Sequence, residues 1–110
     1  MITQDALTFW TDSRGTHFVR TAKRANQSFS AWATEHIAQV QGSQASTNPA
    51  SGSGDPKVST ISFTLDGTQQ TCEIRTFTDG VESESAWQTR HDEAVTAMTA
   101  AIVAAGGTIN

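Results

Sequence analysis

The sequence predicts an α+β fold built from two copies of a strand–strand–helix unit. Residues 28–36 read SFSAWATEH and residues 83–91 read SESAWQTRH, so nearly the same nine residues occur twice, at an offset of 55. From residue 20 to residue 40 this offset gives nine identities in 21 positions without a gap, which is typical of an internal repeat. We therefore expect two antiparallel hairpins that form one sheet, two helices packed on one face, and a pseudo-two-fold relation between the halves.

The second half shows the unit most clearly. The segment VSTISFTLDG alternates apolar and polar residues, as a half-buried strand does, with inward positions at Ile61, Phe63 and Leu65. Asp66–Gly67 is a turn signal, and TCEIRTFT is the returning strand. Ser83 or Ser85 can cap the next helix. The apolar residues that follow have helical spacing up to Gly106–Gly107, where the helix should end.

The first half repeats this plan with a shorter helix. ALTFWTD and HFVRTA are the strands, SRGT is the turn, and the helix should run from about Ser30 to Gly42. The stretch 43–56 is rich in Ser, Gly and Pro, which is typical of a flexible linker. The chain then divides into a first unit (1–42), a linker (43–56) and a second unit (57–110). A weaker match of Phe9 with Phe63, at an offset of 54, predicts a one-residue difference in the turns.

Composition excludes several functional classes. The net charge is −4 and there are only two Lys residues among the 110, which argues against a protein that binds nucleic acid by neutralising phosphates. The single Cys excludes an internal disulfide framework. No segment has the length and apolarity of a membrane span, and the first ten residues lack the pattern of a signal peptide. We expect a protein of the cytoplasm, or of a particle assembled there.

The repeated Trp and His residues are predicted to be structural anchors. Trp32 and His36 are four residues apart and share one helix face, as do Trp87 and His91. Each Trp should fix its helix on its hairpin, and each His should bond to a strand backbone or to a nearby hydroxyl.

A metal site is the less favoured interpretation of these His residues. At the offset of 55, His17 aligns with Cys72, and both have the strand parity of inward positions. His17, His36, Cys72 and His91 could therefore form a tetrahedral zinc set. Their spacing lacks any close pair of ligands, so we predict no cofactor and interpret Cys72 as a small buried apolar residue.

Two further features are candidates for binding. Arg20 and Arg75 are equivalent in the repeat. We interpret them as structural residues that hold loop carbonyls or an acidic neighbour such as Glu82 or Glu84, and the alternative is a paired site for a carboxylate or phosphate. Trp10 matches no Trp in the other half, where its equivalents are Thr64 or Leu65, so it is the aromatic residue most expected at an exposed contact.

No motif in the sequence predicts catalysis. The chain has neither a nucleophile elbow nor a Gly-rich phosphate loop. A small chain rich in Thr, Ser and Ala and poor in Lys is similar in composition to minor components of tailed-phage particles, such as decoration, connector or tail proteins. We therefore expect a non-enzymatic assembly protein of a virion, which contacts other subunits in a homo- or hetero-oligomer. The alternatives are a small acidic regulatory or inhibitory module and, less favoured, a DNA- or metal-binding domain.

Overall fold

Two helices pack on one antiparallel sheet in the computed structural model, which describes residues 2–42 and 54–110. The predicted linker lies outside the described residues from 43 to 53. In chain order the elements are β1 (Gln4–Asp12), β2 (Gly15–Ala22), α1 (Phe29–Gly42), β3 (Lys57–Leu65), β4 (Thr68–Thr76), α2 (Glu84–Ala104) and β5 (Thr108–Ile109). The strand order in the sheet is β2-β1-β4-β3-β5. The α+β class, the two hairpins and the two helices agree with the expectation from the sequence.

The two hairpins meet through their inner strands. β1 pairs with β2, β3 pairs with β4, and β1 also pairs with β4, all antiparallel. In the second hairpin, Asp66 and Gly67 form the loop with φ angles of 52° and 76°. A two-residue hairpin loop with two positive φ angles is the turn that Asp-Gly favours. Each hairpin is therefore closed by local sequence, and the β1–β4 pairing joins them into one sheet.

Both helices lie on the same face of the sheet, which we call the helix face. α1 packs on α2 and on β2, while α2 packs on β3 and β4. Ser28 and Ser83 accept hydrogen bonds from the backbone N–H groups of Ala31 and Ala86, at 3.0 and 3.1 Å, and so cap the two helices. The core between the layers is apolar, and its largest fully buried members are Trp32, Phe63, Ile37, Leu65, Ile74, Met98 and Ile102.

A fifth strand was not expected from the sequence. After α2 ends, Gly106 takes a φ of 95° and the chain turns back along the sheet edge. Thr108 and Ile109 then pair with Thr64 and Phe63 of β3. A Cβ on Gly107 would lie 2.6 Å from the side chain of Ile102, so this turn needs glycine there for close approach as well as for helix termination.

The register also corrects the predicted match between Phe9 and Phe63. Thr8 and Ser59 occupy equivalent places, since each bonds to the His of its own unit, so the first strands match at an offset of 51. Counted from these two residues to the loop, the second hairpin is two residues longer in each strand. Trp10 therefore corresponds to Ile61, not to Thr64 or Leu65. The offset of 55 holds from the second strand through the helix of each unit. It does not hold for the first strands, because the two hairpins differ in length, and the match of Phe9 with Phe63 was therefore a coincidence of residue type.

Candidate functional site

The first unit holds His36 at the centre of a buried polar cluster. The ring nitrogens of His36 lie 2.7 Å from the hydroxyl of Thr8 and 2.8 Å from that of Thr21. The indole N–H of Trp32 donates to the same Thr21 hydroxyl at 3.1 Å. His36 is completely buried, and burial lowers its pKa to about 4. The imidazole is therefore neutral at pH 7, with one nitrogen donating and the other accepting.

The second unit repeats this cluster around His91 and adds one residue. The ring nitrogens of His91 lie 2.7 Å from the hydroxyls of Ser59 and Thr76. Thr76 donates its hydroxyl proton to Oε1 of Gln4 at 2.7 Å, so its oxygen must accept from Nδ1–H of His91. Ser59 then donates to Nε2. The Gln4 contact thus assigns the tautomer of His91. For His36 the bonds of Thr21 do not decide which ring nitrogen carries the proton.

The structure does not assemble the four residues considered for zinc. His36 and His91 each use both ring nitrogens on hydroxyls of their own unit. His17 instead lies 2.9 Å from the carboxylate of Asp12. Cys72 is fully buried, and burial raises the pKa of its thiol to about 12. Within residues 2–42 and 54–110, no group of three or more His, Cys, Asp or Glu residues is placed to hold a metal ion.

Arg75 has a carboxylate partner inside the chain. Its guanidinium donates two hydrogen bonds to Asp5, at 2.8 and 2.6 Å, and Asp5 is fully buried. Glu82 and Glu84, the partners considered from the sequence, instead pair with Arg90 and Lys57. Arg20 is half-buried on the same side of the sheet, opposite Leu7. Asp5 is directly opposite Arg75 and diagonal to Arg20 in the strand register, so both cations lie near one internal carboxylate.

Trp10 is not an exposed contact, as the sequence suggested it would be. It is only 8% exposed, whereas Trp87 is half-buried. Its ring stacks on His17 with centroids 5.4 Å apart, and both side chains point toward the helix face. The expectation failed because Trp10 was compared with Thr64 and Leu65, while its true counterpart Ile61 is a core residue.

The other face of the sheet, which we call the open face, carries exposed aromatic residues. Phe9 and Phe18 are directly opposite each other on β1 and β2 and are 36% and 61% exposed. Val58 of β3 lies on the same face and is 52% exposed. Strand parity alone could have found this pair, because Phe9 and Phe18 each adjoin an inward residue in the sequence. The repeat does not mark this pair, because the matching positions of the second unit are Thr60 and Glu73.

Comparison with known proteins adds no constraint on function, because no family model, curated protein or solved structure matches the chain. Among the described residues, neither helix has the length and apolarity needed to cross a membrane.

Proposed function

We propose that the protein is a non-enzymatic structural subunit of a larger assembly, most consistent with a small bacteriophage virion component, and that it contacts its neighbours through the open face. The observation that carries this proposal is the exposed Phe9–Phe18 pair. A sheet with one solvated face normally places polar residues there. Aromatic side chains are enriched in protein interfaces, and adjacent exposed ones mark a contact surface more strongly than scattered apolar residues.

The surroundings of the pair suit a protein interface. Across the sheet, Phe9 is also opposite Thr71 of β4, which puts a hydroxyl beside the aromatic rings. Arg75 and Asp5 neutralise each other at one end of the same face. Arg20 and Glu73 also lie on this face and balance each other. The aromatic pair, on the edge strand and its neighbour, therefore has polar neighbours and little net charge around it, which is the usual composition of a non-obligate interface.

The positions of the reactive side chains support a non-catalytic role. His36, His91 and Cys72 are buried, and each imidazole is engaged at both nitrogens. A general base or nucleophile must reach a substrate atom within hydrogen-bond distance. Within the described residues the two imidazoles hydrogen-bond to Thr and Ser side chains of their own unit, so we assign them to holding each helix on its hairpin.

We also propose that the two units arose by internal duplication. What supports this is that equivalent residues make equivalent contacts: His36 and His91 bond to Thr21 and Thr76, and the Trp four residues before each His reaches the same Thr. The Trp in the first unit donates to the Thr hydroxyl, and Trp87 donates to the backbone carbonyl of Thr76 at 2.8 Å.

Sedimentation velocity over a wide range of concentrations tests the assembly role. We expect the chain to self-associate and expect Phe18→Ser to weaken that association by roughly tenfold or more, since interface aromatics contribute about 2 kcal/mol or more at binding centres. Val103→Ser is the matched control, because Val103 is 56% exposed but lies on α2. A chain that stays monomeric at every concentration, or loss of association in the control alone, would contradict the proposal.

A monomer would instead favour a regulatory binding module. The observation for this second candidate is a groove of about 470 Å³ between the helices, lined by Phe29, Ala97 and Ala100 with Asp92 and Glu93 beside them. An apolar groove with acidic neighbours suits a basic amphipathic helix. Charge reversal at Asp92 and Glu93 would then abolish partner binding, and substitutions on the open face would not affect it.

A further inference from the structure

β2 forms one edge of the sheet, with no described strand on its outer side. Lys23, directly after β2, donates its backbone N–H to the carbonyl of Gln4 at 2.9 Å, so this pair is hydrogen-bonded. Hydrogen-bonded pairs alternate along an antiparallel ladder, and Val19 and Thr21 therefore direct their backbone groups toward β1. The backbone N–H and C=O groups that face away from the sheet belong to the alternate residues Thr16, Phe18, Arg20 and Ala22.

β2 lacks several features that keep edge strands from pairing. Its eight residues include neither Pro nor Lys, and they pair one to one with β1 without a bulge. Thr16 and Phe18 are exposed. Natural edge strands are usually short, bulged, interrupted by proline or charged. A regular edge of this length is therefore a template on which another strand can pair.

The opposite edge of the sheet is partly covered. β5 lies along the loop-side half of β3, where Asn110 donates its backbone N–H to the carbonyl of Ser62 at 2.9 Å. By the same alternation, the outward residues of β3 that lie beyond this cover are Val58 and Thr60. β2 thus offers twice as many outward residues as β3 does, which favours pairing of β2 with β2 over a head-to-tail contact of β2 with β3.

We propose that β2 pairs antiparallel with β2 of a second copy across a two-fold axis, so that the two sheets become one. This contact rests on the proposed self-association and specifies how two copies meet. With the axis at Val19, Thr16 is opposite Ala22 of the second copy, and Phe18 is opposite Arg20 of the second copy. All outward residues of both strands then pair, with about eight hydrogen bonds in total. An axis at Arg20 would instead put two like charges directly opposite each other, which is unfavourable.

The charges at the two ends of β2 permit this pairing. An antiparallel contact brings the start of one strand to the end of the other, so Arg14 approaches Arg24 of the second copy. Each cation has a carboxylate in its own chain, since Arg14 lies 3.6 Å from Asp12 and Arg24 lies 3.6 Å from Glu35. These exposed side chains are also screened by salt. The two-fold axis places both open faces on the same side, so the two exposed aromatic pairs lie on one continuous surface.

Backbone amide exchange of the ¹⁵N-labelled full chain, above and below the concentration at which it self-associates, tests this contact. We expect the N–H groups of Thr16, Phe18 and Ala22 to exchange more slowly by roughly tenfold or more in the associated state, because they gain carbonyl partners. Val58 and Thr60 are the internal control on the other edge and should exchange equally fast in both states. Contact through the open face alone gives none of these amides a carbonyl partner.

Ala22→Pro gives a second, independent arm. It removes an outward N–H and leaves the ladder to β1 intact, as proline on an edge strand does. The two-fold axis deletes this donor twice, so sedimentation velocity should show association weakened by roughly tenfold or more. Thr60→Pro removes an outward N–H from β3 and is the matched control, which should associate like the native chain. If either variant unfolds, the exchange measurement on the native chain decides.

The outcomes separate this contact from the assembly role. A native chain that is monomeric at every concentration overturns both. Association in which the β2 amides exchange as fast as the controls, or which both Pro variants weaken alike, overturns the edge contact alone. Slower exchange at Val58 and Thr60 together with the β2 amides overturns the two-fold pairing, because it would mean that copies join head to tail.

Discussion

The two strand–strand–helix units hold their helices with the same contacts at different depths. In the first, Trp32 is 1% exposed and His36 is completely buried. In the second, Trp87 is half-buried and carries the ammonium of Lys57 over its ring, 4.4 Å from the centroid. His91 is 4% exposed. Burial lowers its pKa and Asp92 opposes that shift. The first unit therefore depends on burial, and the second on polar contacts around the same residues.

The difference follows from what each unit packs against. Among the described residues, the His36 cluster consists of Thr8, Thr21 and Trp32, all of the first unit, while the His91 cluster extends through Thr76 to Gln4 on β1. Gln4 donates in turn to the carbonyl of Arg75. The second cluster thus crosses from one hairpin to the other. Matching positions of the two units therefore make different contacts, and single substitutions can measure what each contributes to stability.

The largest difference is expected between the anchoring tryptophans. Trp32→Ala should lower the free energy of unfolding by about 3–5 kcal/mol, because it leaves a large cavity in the core. Trp87→Ala should lower it by about 1.5–3 kcal/mol, since only part of that side chain is buried. Trp10→Ala should fall between them, in contrast to the expectation from the sequence. Urea unfolding of the three variants measures this order, and an equal or larger loss for Trp87→Ala would show that burial does not decide it.

Acid should destabilise the first unit through His36. Its pKa is about 4 in the folded chain and about 6.5 when unfolded. A lowered pKa means that this contribution is complete above pH 6.5 and is lost as the pH falls toward 4. The total loss is roughly 3 kcal/mol. His91 acts in the same direction.

The experiment compares unfolding free energies of His36→Gln and His91→Gln at several pH values. Between pH 6.5 and 5 the carboxylates change little, so the slope there belongs to histidine. We expect His36→Gln to flatten the slope more than His91→Gln does. A slope that His36→Gln leaves unchanged would show that this imidazole is not held neutral by burial.

The sequence could predict the helices and hairpins but not their depth of burial. Helical spacing identified α1 and α2, the expected Ser cap marked the start of α2, and Asp66–Gly67 identified the second hairpin. Periodicity cannot detect a strand of two residues, so β5 was missed. The Gln4 contact joins residues 72 positions apart, and no local pattern indicates it. The β1–β4 ladder, which ends at Phe9 and Thr71, is likewise set by pairing between hairpins that are distant in the sequence.

Removing Gln4 should affect the second cluster only. Gln4→Leu removes the acceptor of the Thr76 hydroxyl, and we expect a loss of about 1–3 kcal/mol because buried polar groups lose partners. Thr76 can then donate to His91 Nδ1, so the fixed tautomer should be lost. Imidazole ¹⁵N chemical shifts of His91 should report an Nδ1–H form in the native chain and a mixture in the variant. A change at His36 of similar size would mean that the clusters are not separate.

The smallest expected effect concerns the cation on Trp87. Lys57 lies over the indole and also pairs with Glu84, which is largely exposed. Lys57→Met keeps the apolar stem over the ring and removes the charge, so the lost stability should be about 0.5–1 kcal/mol. The exposed ion pair adds little to this, because water and salt screen it.

The measurement is urea unfolding of the native chain and of Lys57→Met at low and at high salt. If the cation–π contact dominates, the difference in stability between these two chains should persist at high salt, and the fluorescence of Trp87 should change in the variant. Trp32 has no Lys over its ring among the described cation–π contacts, so it provides the internal control. A loss that disappears at high salt would assign the effect to Glu84, and the second unit would then resemble the first more closely than its contacts suggest.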